Sequence, residues 1–141
     1  MPSAQPSSAP AHKAKRCLIV EDSAFDAEKM TRVIEKTPGK IKIETAATLR
    51  AARAALAKGE TELILLDNNL PDGLGANFAL ELAKDPAMAN IPIIMVSDWP
   101  SPFRWEKAAS AGVAYVLSKT DFDARYVHAV LTGRHKQRLH S

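Results

Sequence analysis

Three uninterrupted apolar runs constrain this chain most: Cys17–Val20 (CLIV), Leu63–Leu66 (LILL) and Ile93–Val96 (IIMV). A strand with one wet face alternates apolar and polar residues, whereas a continuous apolar run suits a strand covered on both sides. Helical patterns separate the runs. Ser23–Glu35 keeps Ala24, Ala27, Met30, Val33 and Ile34 in a helical period, and Pro38-Gly39 ends it. Thr48–Lys58 puts Leu49, Ala52, Ala55 and Leu56 on one face before Gly59. Gly75–Lys84 sets Phe78 and Leu82 one turn apart.

Two more strands complete the pattern. Ile41 and Ile43 alternate with Lys and Glu, as in a strand half exposed to water, and Ala114–Ser118 (AYVLS) forms the fifth. The fourth strand covers Ile91–Ser97, with Pro92 near its start, where a missing amide is tolerated. Ser101-Pro102 reads as an N-cap and first helical residue, opening a helix that Gly112 stops. A last helix follows Thr120 and runs to about Thr132, with Asp121 and Asp123 in its first turn. Strands joined through helices need crossover connections. The prediction is a doubly wound α/β domain over residues 17–132, with five parallel strands and helices on both faces.

The 141 residues suffice for one domain with a real core. No apolar run approaches the ~20 residues of a membrane helix, so no membrane role is expected. The leader, residues 1–16, is rich in Pro, Ser and Ala without an apolar segment, and reads as disordered rather than as a secretion signal. The single cysteine, Cys17, excludes an internal disulfide and fits a reducing cytoplasm. It starts a buried strand, so core packing is its expected role. The net charge of +3 comes from the ends: residues 17–120 carry 12 basic and 14 acidic residues. The basic tail, residues 133–141, is read as a solvated helix end, and no nucleic-acid partner is expected.

Ligands of open parallel α/β sheets bind beyond the carboxyl ends of the strands. The residues just past each strand are therefore the candidates for chemistry. They are Glu21 and Asp22, Asp67, Ser97 and Lys119. Three carboxylates on one rim repel one another unless a cation intervenes, and an all-oxygen set suits Mg²⁺. A lysine and a hydroxyl then face whatever anion sits beside the metal, as a transferred phosphoryl group requires. Asp67 can act as the nucleophile and form an acyl phosphate.

The set IVEDS, LLDNNLPDG, MVSDW and YVLSK, in that order, resembles the receiver domain of two-component response regulators, the CheY-like fold with strand order 2-1-3-4-5. The resemblance implies that Asp67 accepts a phosphoryl group from a phosphohistidine of a histidine kinase or phosphotransfer protein. It implies that Glu21, Asp22, Asp67 and the main-chain carbonyl of Asn69 hold Mg²⁺. Ser97 and Lys119 would bind phosphoryl oxygens. The chain would be a signalling phosphoacceptor in the cytoplasm rather than an enzyme with turnover. As a stand-alone receiver it would act through a phosphorylation-dependent protein surface, a homodimer included.

The chain also departs from that family. Thr120 follows Lys119 where proline is usual. The switch aromatic usually stands at the place of Val116, yet the tyrosine here is Tyr115, one residue earlier. Asp98 and Trp99 follow Ser97 where a small residue is usual, and are expected to lengthen the phosphoryl lifetime. Trp99, Trp105, Tyr115 and Val116 are the switch and output candidates. Two rival readings are a receiver-like scaffold independent of phosphate and an aspartate-based phosphohydrolase. The second lacks its acid, because Asn69 stands where such an enzyme needs an aspartate.

Overall fold

The computed structural model describes residues 14–98 and 102–134, without the side chains of residues 102–105. Its elements run β1 (Lys15–Val20), α1 (Ala24–Glu35), β2 (Ile41–Ala46), α2 (Leu49–Ala57), β3 (Leu63–Leu66), β4 (Asn69–Leu70), β5 (Gly73–Leu74), α3 (Gly75–Ala83), β6 (Ile93–Ser97), α4 (Pro102–Ser110), β7 (Tyr115–Ser118) and α5 (Ala124–Leu131). Five strands form one parallel sheet in the order β2-β1-β3-β6-β7. This is the doubly wound arrangement expected from the sequence, with β6 and β7 as its fourth and fifth strands.

The apolar runs explain both layers. Alternate residues of one strand point to opposite faces. Leu18, Val20, Ile64, Leu66, Ile93 and Met95 pack against α2, α3 and Ala108 of α4. Cys17, Ile19, Leu63, Leu65, Ile94 and Val96 pack against Met30 and Ile34 of α1 and Val127 and Val130 of α5. Burying each Leu, Ile or Val side chain contributes roughly 1.5–3 kcal/mol. The strand ends therefore stand on a rigid base.

Polar caps cut the helices to length. Ser23 Oγ accepts from the Asp26 amide at 3.2 Å and opens α1, so Ser23 is the cap and Asp22 is spared that role. Thr48 Oγ1 accepts from the Ala51 amide at 3.0 Å at the start of α2. Asp123 does the same for Arg125 at 3.0 Å. The last helix therefore begins at Ala124, and Asp121 lies in the turn before it rather than in its first turn. Pro102 does open α4, while Ser101, its expected cap, lies outside the described residues.

Some strand ends and one connection differ from expectation; the fifth strand, for one, starts at Tyr115 and not at Ala114. β1 begins at Lys15, so the last two residues of the expected leader belong to the sheet, where they extend the pairing with β2. The fourth strand starts at Ile93, after Pro92, which has no amide to donate to the ladder. The stretch after Asp67 closes into a two-stranded hairpin, with Asn69 paired to Leu74 and Leu70 to Gly73.

Candidate functional site

The sheet ladder continues one residue beyond the strands and so delivers the site. The Glu21 amide donates to the Ala46 carbonyl at 2.9 Å, the Asp67 amide to Val20 at 3.0 Å, and the Lys119 amide to Ser97 at 3.0 Å. Glu21, Asp67 and Ser97 are buried, at 4%, 5% and 2% exposure, and Asp22 is exposed. Buried carboxylates are rare unless paired. Finding two side by side marks this rim as different from the remaining surface.

One carboxylate oxygen each from Glu21, Asp22 and Asp67 lie within 4.8 Å of one another. Two ligands on opposite sides of a Mg²⁺ stand roughly 4.2 Å apart, and the ion keeps waters on its other positions. The cluster thus fits a small hard cation with part of its shell left to water. Its electrostatics agree. Burial pushes Glu21 up to about 7, against the pull of the Ser23 amide and Lys119, and the Asp67 charge raises it further. Burial also raises Asp67, opposed by Lys119 and by the Asn68 and Asn69 amides. A divalent cation would relieve both carboxylates.

Lys119 supplies the local positive charge. Its Nζ lies 2.7 Å from Asp26 Oδ2, 2.9 Å from Glu21 Oε1, 3.6 Å from Asp98 Oδ2 and 3.9 Å from Asp67 Oδ2. Burial works against the ammonium, but the bonds to Asp26 and Glu21 and the charge of Asp67 outweigh it and raise its pKa. On the same rim, the buried Ser97 Oγ has no hydrogen-bond partner among the described residues. A hydroxyl left unpaired in an interior costs about 1–3 kcal/mol. That cost is sensible where a ligand oxygen is to arrive.

The loop behind Asp67 is built to hold it still. The Asn68 carbonyl accepts from the Gly75 amide at 2.8 Å and Asn68 Oδ1 from the Ala76 amide at 3.0 Å. A Cβ on Gly75 would stand 2.2 Å from the Asp67 carbonyl oxygen, so only glycine lets α3 start this close. Asp72 reaches across to α2, where Oδ1 accepts from the Leu49 amide at 2.8 Å and Oδ2 from the Arg50 amide at 3.0 Å. Those bonds lower its pKa.

Glu21, Asp22, Asp67, Ser97, Lys119 and the backbone of Asn69 are therefore gathered at one end of the sheet. Trp99 lies outside the described residues, as does the side chain of Trp105. The Lys119–Thr120 peptide is trans. Tyr115 belongs to the α1/α5 face, its ring edge-on to Tyr126 with centroids 5.1 Å apart. Val116 belongs to the α2/α3/α4 face. Ser97, two residues after Met95 in β6, shares the face of Met95 and Val116. Tyr115 is thus on the opposite side of the sheet from Ser97.

Sequence reasoning missed three contributors: Asp26, Asn68 and Asp72. Asp26 carried only the signal of an acidic residue in the first turn of α1. Its partner is 93 positions away. Asn68 and Asp72 carry no pattern of their own, and only the path of the loop gives them their bonds. Cys17 is buried with its thiol pushed up to about 12 by burial, which agrees with core packing.

Comparison with known proteins agrees with this geometry. The family model described as "Response regulator receiver domain" matches residues 17–131. The transcriptional regulatory protein DpiA of Escherichia coli (strain K12) is 43% identical over 67 residues, which are 48% of this chain and 30% of DpiA. The chain thus matches less than a third of that relative's length. Among solved structures, the signal receiver domain of a signal transduction histidine kinase from Syntrophus aciditrophicus is 27% identical at a TM-score of 0.74, covering 85% of this chain and 92% of that one. The Mn²⁺-bound form of response regulator Rcp1 is 23% identical at a TM-score of 0.70, covering 84% of this chain and 90% of that one.

Proposed function

The chain belongs to the response regulator receiver domain family, and on that footing we propose that Asp67 is the phosphoacceptor of a two-component pathway. The donor is a phosphohistidine on a histidine kinase or phosphotransfer protein. An Asp67 carboxylate oxygen attacks phosphorus, the bond from phosphorus to the imidazole nitrogen breaks, and an acyl phosphate is left on the chain. Glu21, Asp22, Asp67 and the Asn69 carbonyl would hold Mg²⁺, which neutralises charge on the moving phosphoryl group. Ser97 Oγ donates to one phosphoryl oxygen and Lys119 pairs with another.

The observation that carries this reading is the unpaired, buried Ser97 hydroxyl on the same rim as Asp67 and Lys119. A packing role leaves that hydroxyl unexplained, and a phosphate-independent scaffold does not need it. Support for the cation comes from the three-carboxylate cluster and from a protein of the same fold seen with Mn²⁺.

Signalling then proceeds through protein contact in the cytoplasm. Among the described residues no helix is long and apolar enough to cross a membrane. Tyr115 faces away from Ser97, so Tyr115 is not the aromatic that follows that hydroxyl. Trp99 and Trp105 stay as output candidates by position, and a phosphorylation-dependent homodimer as one form of output.

The test is acetyl phosphate with Mg²⁺, followed by mass spectrometry. Wild type should gain one hydroxylamine-labile phosphoryl group and Asp67→Ala none. Equal labelling of the variant would remove Asp67 from the role.

A further inference from the structure

Lys119 is drawn in two directions. Its nearest partner is Asp26 in the first turn of α1, at 2.7 Å, while Asp67 is the most distant of four carboxylates, at 3.9 Å. The Asp26 contact is a true hydrogen bond within a partly buried setting, with side-chain exposures of 12% and 22%. Asp98 adds a weaker outward pull at 3.6 Å, from a side chain that is 63% exposed. The Asp26 carboxylate is itself held in place: its residue's amide is tied to the Ser23 cap, and α1 is anchored by buried Met30 and Ile34. With Lys119 it forms part of the wall of a cavity of about 370 Å³ that Met30, Val96 and Phe122 also line.

We propose that Asp26 is a positioning residue that holds the Lys119 ammonium on the α1 side of the rim, away from the acceptor. This rests on the phosphoacceptor reading of Asp67. Two consequences of opposite sign follow. The ammonium already touches Glu21 Oε1 at 2.9 Å. Without Asp26 it gives itself over to Glu21 and closes on Asp67, where it competes more strongly with a divalent cation for the same oxygens. A phosphoryl group on Asp67, by contrast, must draw Lys119 away from Asp26, so Asp26 opposes the phosphorylated state. Asp26 thereby favours a cation-loaded, unphosphorylated rim ready to react, and it shortens the reach of the lysine once the group has arrived.

The experiment compares wild type, Asp26→Asn and Asp26→Ala, each also in a Lys119→Ala background. Mg²⁺ affinity is measured calorimetrically without phosphate, and beryllofluoride affinity by fluorine NMR at saturating Mg²⁺. Losing one bond between charged groups is expected to change each affinity about fivefold. Both Asp26 variants should bind Mg²⁺ about fivefold more weakly and beryllofluoride about fivefold more tightly, and both effects should shrink below twofold without Lys119.

Unchanged Mg²⁺ affinity in Asp26→Asn would overturn the proposal. Effects that persist in full in the Lys119→Ala background would overturn it too, because they would reflect the Asp26 charge acting alone. Failure of wild type itself to bind beryllofluoride would remove the phosphoacceptor reading, and the Mg²⁺ measurements would still decide on Asp26. Thermal unfolding of each variant checks that α1 remains folded.

Discussion

Asp67 and Asp72 stand five residues apart in one loop, and the protein treats them in opposite ways. Asp72 is tied by two backbone amides of α2, and its carboxylate is made easy to ionise. Asp67 is buried beside Glu21, and its carboxylate is made hard to ionise. Asp72 is complete in itself: both of its carboxylate oxygens are taken up by amides at the start of α2. The rim around Asp67 is incomplete, with raised carboxylates, a lysine shared among four acids and a hydroxyl without a partner among the described residues. Polar groups that only stabilise a fold are satisfied within it. Groups left short of partners await something from outside, and breaking each region should therefore have a different signature.

The largest effect is expected where the two regions meet, at Gly75. Replacing it by alanine drives a Cβ into backbone atoms, 2.2 Å from the Asp67 carbonyl oxygen and 3.0 Å from Asn68 Cα. Neither neighbour is a flexible side-chain tip, so the loop must shift. Gly75→Ala should lose about 3 kcal/mol or more in urea unfolding. Beryllofluoride binding should fall with it, since the acceptor's own carbonyl moves. A loss under about 1 kcal/mol would mean that the loop gives way easily and that Asp67 is not held still by it.

A second difference lies on the pH axis. Glu21 has a folded value near 7, above its ordinary 4.5, so its ionisation opposes folding. Stability present below 4.5 should be lost as pH rises through about 7. Asp72 and Glu81, lowered in the folded state by the α2 amides and by Arg53, behave in reverse, with stability lost as pH falls through the acid range. Lys119, raised above its ordinary 10.5, contributes evenly below that value and loses its share only above it. Metal-free protein in a chelator should therefore lose on the order of 2 kcal/mol between pH 5 and pH 8. Excess Mg²⁺ should cancel most of that loss. Stability that is flat or rising over this range without metal would contradict the strained rim.

How far the sequence went follows the same division. The rim was legible because a parallel sheet sends every strand end to one place, so reading Glu21, Asp22, Asp67, Ser97 and Lys119 past their apolar runs required only topology. The face of each side chain was equally legible: Tyr115 and Val116 are adjacent in β7, and alternation alone puts them on opposite sides. What escaped was contact across elements. Asp26 looked like an ordinary first-turn acid, and Asp72 like half of an Asp-Gly turn. Their partners lie 93 and 22 to 23 positions away, and no local pattern encodes such distances. The hairpin of β4 and β5 escaped because two-residue strands carry no periodicity.

The smallest effect tests the comparison most sharply, because its two readouts move in opposite directions. Ser97 Oγ is buried and unpaired among the described residues, so truncating it removes a desolvated polar atom rather than a bond. Ser97→Ala should leave the metal-free fold as stable as wild type, or more stable by about 0.5–1 kcal/mol. The same change removes a donor to a charged phosphoryl oxygen, worth roughly tenfold in affinity. Beryllofluoride should thus bind about tenfold more weakly to a protein that unfolds no earlier. A residue serving the fold would lose stability and binding together, as Gly75→Ala does. If Ser97→Ala also loses stability, its hydroxyl has a partner within the fold, and the rim is not held open for a ligand.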